Sequence, residues 1–261
     1  MIRNVQAVKR LASEGKRLDG RELTQYRGPI SIQTNVSQTA EGSARVQIGD
    51  TVVMAGVKLS LEKPYNDTPD EGGIMINVEL LPLSSPDYDP GPPGIKAVEL
   101  ARVTDRAIRE AKAIDFKKMC IRSGELAWFV SVDILTINDA GNLFDAICLA
   151  SLVALNQTKL RPYDENTGVV DYKGTTEHGL PIIKQPLSVT VYKINGHLMV
   201  DPTRDEEEAL DARLTVAADE EGIISALQKG GDTPVTVDEV SQMVELALEK
   251  IGELRSIMEK Q

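Results

Sequence analysis

Ser43–Leu61 reads SARVQIGDTVVMAGVKLSL. Two runs rich in β-branched residues flank Gly49-Asp50, a dipeptide that suits a tight reversal between antiparallel strands, so the stretch predicts a β-hairpin. Strand character begins upstream of it, from Pro29. Before that, residues 1–25 place Val5, Val8 and Leu11 at helical spacing among basic side chains, then turn at Gly15 and Gly20. Downstream, the polar segment Glu62–Gly73 leads to a third predicted strand, Ile74–Leu81. The Pro- and Gly-rich stretch Pro82–Gly94 can be neither helix nor central strand and is expected as a surface loop.

A helix is predicted over Ile95–Ile114, with Leu100, Val103, Ala107, Ala111 and Ile114 on one face. Trp128–Ile137 reads as a strand, Asp139-Ala140-Gly141-Asn142 as a turn, and Leu143–Leu155 as a helix apolar nearly all round and hence buried. After a polar connection, 156–186, strands are predicted at Leu187–Ile194, His197–Val200, Leu214–Ala218 and Ile223–Gln228. A final helix runs over Val237–Met258, capped by Thr236 or Asp238. Both blocks follow one plan, strands and then helix. The predicted architecture is α/β, two related halves packed as one unit. It divides into a basic helical segment 1–28, a first half 29–160, a connection 161–186 and a second half 187–261.

Aromatic residues make up only 4% of the chain against 41% hydrophobic, so the core is expected from Val, Ile, Leu and Ala. No apolar run approaches the ~18 residues of a membrane span, and the first residues lack the apolar core of a signal peptide. That predicts a cytoplasmic protein with no membrane partner. Cys120 and Cys148 lack metal-type spacing and read as buried thiols; His178 and His197 read as turn or surface residues, and Gly230-Gly231 as a bend. No cofactor and no metal are expected. The net charge of −11 argues against nucleic acid, but its distribution reopens the question. Residues 201–261 carry 16 acidic and 6 basic groups, whereas the first 30 residues carry 7 basic and 3 acidic ones, leaving room for a local basic surface.

Several motifs occur in a fixed order: Lys16-Arg17-Leu18-Asp19-Gly20-Arg21; Gly42–Thr51; Glu99-Leu-Ala-Arg102-Val-Thr-Asp-Arg106-Ala-Ile-Arg109; Val132–Asn142; Val200-Asp201-Pro202-Thr203 with the acidic run after it; and Gln228-Lys229-Gly230-Gly231. Together they resemble the RNase PH family over residues 17–255, and within it the non-catalytic ring subunit of exosomes. The resemblance implies the RNase PH-type fold, ring oligomers and phosphorolytic 3′→5′ removal of nucleotides from RNA. Such chemistry needs a cationic, hydroxyl-lined pocket for phosphate and a carboxylate for proton transfer or a divalent metal.

In active members the turn before the second long helix resembles Asp-Ala-Gly-Ser-Arg, whose hydroxyl, arginine and helix end bind phosphate. Here it reads Asp139-Ala140-Gly141-Asn142-Leu143-Phe144, with leucine and phenylalanine where the cation belongs. The family's acidic run closes on an aspartate, and the matching position holds Arg213. A register two residues different would instead offer Asp211. The run Asp205–Glu208 itself reads as a solvated acidic turn.

Arg102, Arg106 and Arg109, spaced by four and three, fall on one helix face with a rise of roughly 5–6 Å between successive residues. The same spacing suits an intrahelical ladder of Glu99–Arg102, Asp105–Arg109 and Arg106–Glu110. The resemblance implies that this helix lines the RNA path, which makes the three arginines candidate contacts for single-stranded RNA. The chain is therefore expected to be a silent subunit. It would complete a ring, three copies alternating with three of an RNase PH-like catalytic subunit, under RNA-binding caps. Two alternatives stand: a self-sufficient phosphorolytic exoribonuclease using Asp211, and an RNA-binding protein of the same architecture with no role in decay.

Overall fold

A computed structural model describes residues 5–165 and 167–260, so the first four residues of the expected N-terminal segment lie outside it. The predicted hairpin is present: β2 (Gly42–Ile48) and β3 (Thr51–Glu62) pair antiparallel, with Gly49 at a φ of 56° in the turn. Before them come α1 (Val5–Ser13) and β1 (Ile30–Thr34); after them come β4 (Gly73–Glu79), α2 (Ile95–Glu110), β5 (Cys120–Arg122), β6 (Leu126–Asn138) and α3 (Leu143–Gln157). Among the described residues β1-β2-β3-β6-β4 form one sheet with β5 on β6, and β4 runs parallel to β6 at an edge.

The second half holds β9 (Leu187–Ile194), β10 (His197–Val200), the short helix α4 (Arg204–Glu207), β11 (Ala212–Ala218), β12 (Ile224–Gly230) and α5 (Val237–Met258). Its four strands lie in the order β10-β9-β11-β12, all antiparallel neighbours. The connection is less plain than its polarity suggests. It folds a two-stranded ribbon, β7 (Tyr163–Asp164) with β8 (Val169–Val170), and a bridge from Ile182 to Ile114 ties it to the first half.

α3 explains why the halves form one unit. Its residues from Leu143 to Leu155 are all buried, because one side packs on β2 and β3 and the other on β9. A helix serving two sheets has little face left for polar residues, and its Asp145 and Ser151 are buried with hydrogen-bond partners. α5 covers β9 and β11, α2 covers β4 and reaches β12, and one continuous apolar core spans both sheets. Thr236 caps α5 through a capping box with Glu239.

Two expectations need correction. The α2 helix stops at Glu110 rather than Ile114. Lys112 adopts a φ of 54°, and the Lys112 and Ala113 amides donate back to the carbonyls of Arg109 and Ile108, a left-handed termination with lysine in the usual glycine place. Ala111 and Ile114 still bury their side chains, but from the turn that follows. Of the two thiols, only Cys148 is buried; Cys120 is half-buried on the short strand β5. Among the described residues no helix is long and apolar enough to cross a membrane.

Candidate functional site

The turn before α3 is where the family's phosphate pocket would lie. Thr51 Oγ1 accepts from the Ala140 amide at 3.2 Å, and Asp139 Oδ1 from the Gly141 amide at 3.0 Å. Gly141 has a φ of 103°, and a Cβ there would strike the backbone of Pro202 and Thr203, so only glycine fits. Asn142 is left-handed and fully buried. Its amide donates to Glu207 Oε1 at 2.9 Å, and its Nδ2 donates to Asp145 Oδ2 and Asp201 Oδ1, both at 3.0 Å. The helix end that would attract an anion thus meets carboxylates of the chain itself. Burial pushes the Glu207 carboxyl above its ordinary range.

Beside this turn the two departures from the family pattern meet. The Arg213 guanidinium lies over the Phe144 ring, Cζ 4.7 Å from its centroid, and Arg213 Nη2 donates to Glu99 Oε1 at 2.5 Å. By the motif match, Arg213 takes the position of the family's aspartate, and Phe144 lies beside the position of its phosphate-binding arginine. Arg213 cannot ligate a divalent ion, so the metal role does not fit this position. Asp211, the alternative carboxylate, has both oxygens engaged: Lys9 Nζ on α1 lies 2.9 Å from Oδ1, and the Asn195 amide donates to Oδ2 at 2.5 Å.

The acidic turn is solvated only in part: Asp205 and Glu208 are exposed, as expected, but its middle is not. Glu206 is buried, and Arg17 donates to both of its oxygens, from Nε at 2.9 Å and from Nη2 at 2.5 Å. Thr203 and Glu206 also close a capping box on α4. Charge runs usually face water, but a bidentate guanidinium offsets the desolvation of one member here. The same network uses up much of the basic N-terminal segment. Arg27 grips Asp201 through Nη2 at 2.7 Å and Nε at 3.0 Å, and Arg21 Nη1 reaches the same carboxylate at 3.2 Å. These arginines fasten the segment to the second half and are not free for a polyanion.

The α2 arginines lie outside that network. Arg102 is exposed and, among the described residues, has no carboxylate partner. Arg109 donates to Asp105 Oδ1 at 2.7 Å and to the Ile74 carbonyl at 3.1 Å, while Arg106 turns to Gln228 on β12. Of the expected ladder only Asp105–Arg109 forms, because Glu99 goes to Arg213. Arg102 and Arg109 border a groove of about 190 Å³ with Tyr65, Asp105 and the edge strand at Ile74–Ile76, and Arg106 borders a separate niche. The sequence reading missed Tyr65, whose loop carries no motif. It also missed a clip on the Pro-rich loop, where Arg204 Nη2 donates to Asp87 Oδ2 at 2.6 Å and Lys96 Nζ donates to the Tyr88 hydroxyl at 2.8 Å.

Fold and site define a two-domain α/β protein of the RNase PH type, with an arginine-bearing helix and a turn before α3 whose first amide meets the chain's own Glu207. Comparison with known proteins agrees. The models of domains 1 and 2 of the 3′ exoribonuclease (RNase PH) family match residues 26–161 and 184–250. The chain is 42% identical over 247 residues, 95% of its length and 90% of the relative's, to the exosome complex component Rrp42 of Methanosarcina acetivorans. The Thermococcus kodakarensis protein of that name is 45% identical, over 94% of this chain and 90% of its own length. A chain of the Archaeoglobus fulgidus exosome with RNA bound to the active site superposes with a TM-score of 0.89 at 38% identity, covering 97% of this chain and 96% of that one. An archaeal exosome core chain superposes at 0.86 and 35% identity, over 98% and 96% of the two chains. The chain belongs to the RNase PH-type 3′ exoribonuclease family.

Proposed function

We propose that this chain is a non-catalytic ring subunit of an exosome-type RNA-degrading complex in the cytoplasm. Three copies alternate with three of an RNase PH-like catalytic subunit, beneath RNA-binding caps. The chain completes the ring, shapes the neighbour's active site and offers the exposed face of α2 to single-stranded RNA entering it. The names of its relatives support the complex. The contact of Arg213 with Phe144 supports the silence, since the pair removes at one place both the cation that would hold phosphate and the carboxylate that would assist attack. A self-sufficient enzyme using Asp211 is disfavoured because Lys9 and Asn195 already hold that carboxylate. The test is phosphate-dependent release of nucleoside diphosphates from an RNA oligomer, by the pure chain and by the chain co-purified with its partner. Activity is expected only in the second case. Turnover by the pure chain, abolished by Asp211→Ala, would reverse the reading.

A further inference from the structure

We infer that Tyr65 is a base-stacking platform in the groove bordered by Arg102 and Arg109, so that this face holds a nucleotide by its base as well as by its phosphates. The inference rests on the reading of α2 as an RNA-facing helix. In a chain with only 4% aromatic residues, Tyr65 is left 59% exposed, although aromatic rings are usually put into the core. It is also held in place. The preceding Pro64 is buried, the Thr68 amide donates to the Tyr65 carbonyl at 3.2 Å, and the ring meets Phe129 at 5.5 Å between centroids with the planes at 78°. Phe129 is seated because the strand beside it begins with Gly73, where a Cβ would come within 2.5 Å of the phenyl Cε1. Two rings and a glycine thus fix an exposed aromatic face without burying it.

The surroundings suit a nucleotide. Arg102 and Arg109 are two turns apart on α2, roughly 10 Å along the axis, which leaves room for one nucleotide between two phosphate contacts. Arg102 faces the groove without a carboxylate of its own, while Asp105 is taken by Arg109. A cationic track beside an aromatic face is how single strands are held without sequence preference, because every base has a π-face.

The experiment uses the chain assembled with its catalytic partner and measures oligoadenylate binding by fluorescence anisotropy, with native mass checking the ring. Tyr65→Ala should weaken binding at least about fivefold, and Tyr65→Phe should stay within about twofold of wild type. The salt slope should not change in either variant, since no charge is lost. An abasic oligomer should bind wild type and Tyr65→Ala alike. Wild-type affinity of Tyr65→Ala in an intact ring would overturn the stacking role even if arginine variants bind weakly. Failure of the arginine reading would appear separately, as a salt slope that those variants leave unchanged. Loss of the ring in Tyr65→Ala would assign the aromatic to a subunit contact and would also overturn the inference.

Discussion

Arg213 on β11 and Phe144 on α3 come from different halves of the chain, yet the guanidinium sits 4.7 Å above the ring while its Nη2 bonds Glu99 on α2. Three elements meet at this point, and what they build is packing where catalysis would need a carboxylate and a phosphate site. Arg213→Asp therefore restores the charge but not the pocket. It also leaves Glu99 facing another acid and removes a stacking contact of about 0.5–2 kcal/mol. We expect the variant to show no phosphate-dependent turnover alone and to melt below wild type. Turnover in the single mutant would mean that Asn142, Leu143 and Phe144 do not block phosphate. Catalytic groups that act as a unit do not contribute additively, which is why one restored residue is expected to do nothing.

Arg102 and Arg109 should contribute to RNA affinity through phosphate contacts. Each single-strand contact adds about −0.7 to the slope of log affinity against log salt, so the Ala double variant should flatten it by about 1.4. If Arg109 serves only its pair with Asp105, the loss is about 0.3–0.5 kcal/mol of stability with affinity and slope unchanged. Binding measured from low to moderate salt in the intact assembly separates the two outcomes.

Arg17 and Glu206 form a buried, bidentate pair between residues 189 positions apart. Removing one partner leaves an uncompensated charge in the interior. Arg17→Ala should therefore destabilise the chain by about 3–5 kcal/mol. Urea unfolding measures this, and a loss below about 1 kcal/mol, the scale of an exposed pair, would show that the site is open to water.

Asp145 supplies a pH dependence. It is fully buried, and burial pushes its carboxyl up to about 7, although the Asn142 amide, the Tyr26 hydroxyl and the Thr190 amide all donate to it. Its folded value lies above the unfolded one, near 3.9. The folded state thus holds the extra proton between those values, and this group's contribution to stability falls as pH rises from about 4 to about 7. Compared over pH 5 to 8, wild type should lose stability relative to Asp145→Asn by up to ~1.4 kcal/mol per pH unit below 7, levelling off above it. A difference between the two that does not vary with pH would refute this assignment.

Much of the molecule was legible in order of residues. The hairpin at Gly49-Asp50, the nearly all-apolar α3, and the strands β9 and β10 follow from spacing and turn chemistry, which are properties of neighbouring residues, and the same signals narrowed the cap of α5 to Thr236 or Asp238. The departures at Leu143, Phe144 and Arg213 were likewise visible as residue types in a motif. Boundaries were less secure where a local conformation overrides periodicity. Lys112 ends α2 early because its left-handed backbone returns two amides to the last turn.

What the sequence by itself determined, then, is the string of elements, the helix face that carries Arg102, Arg106 and Arg109, and the departures from the family's motif at Leu143, Phe144 and Arg213. The tertiary structure alone decided which partners those residues take. Glu99 leaves the expected ladder because β11 brings Arg213 to it, and Arg106 leaves because β12 brings Gln228. Glu206 of the acidic turn is buried because Arg17, far away in the chain, can reach it, and Arg21 and Arg27 turn inward because Asp201 meets them. Periodicity records which side a residue faces. It does not record which distant charge waits on that side, and for ionic groups the distant charge determines whether burial is tolerated. Tyr65 shows the same limit: as sequence it is one tyrosine in a polar loop, and it becomes a candidate site only where the fold sets it beside Phe129 and the arginines of α2.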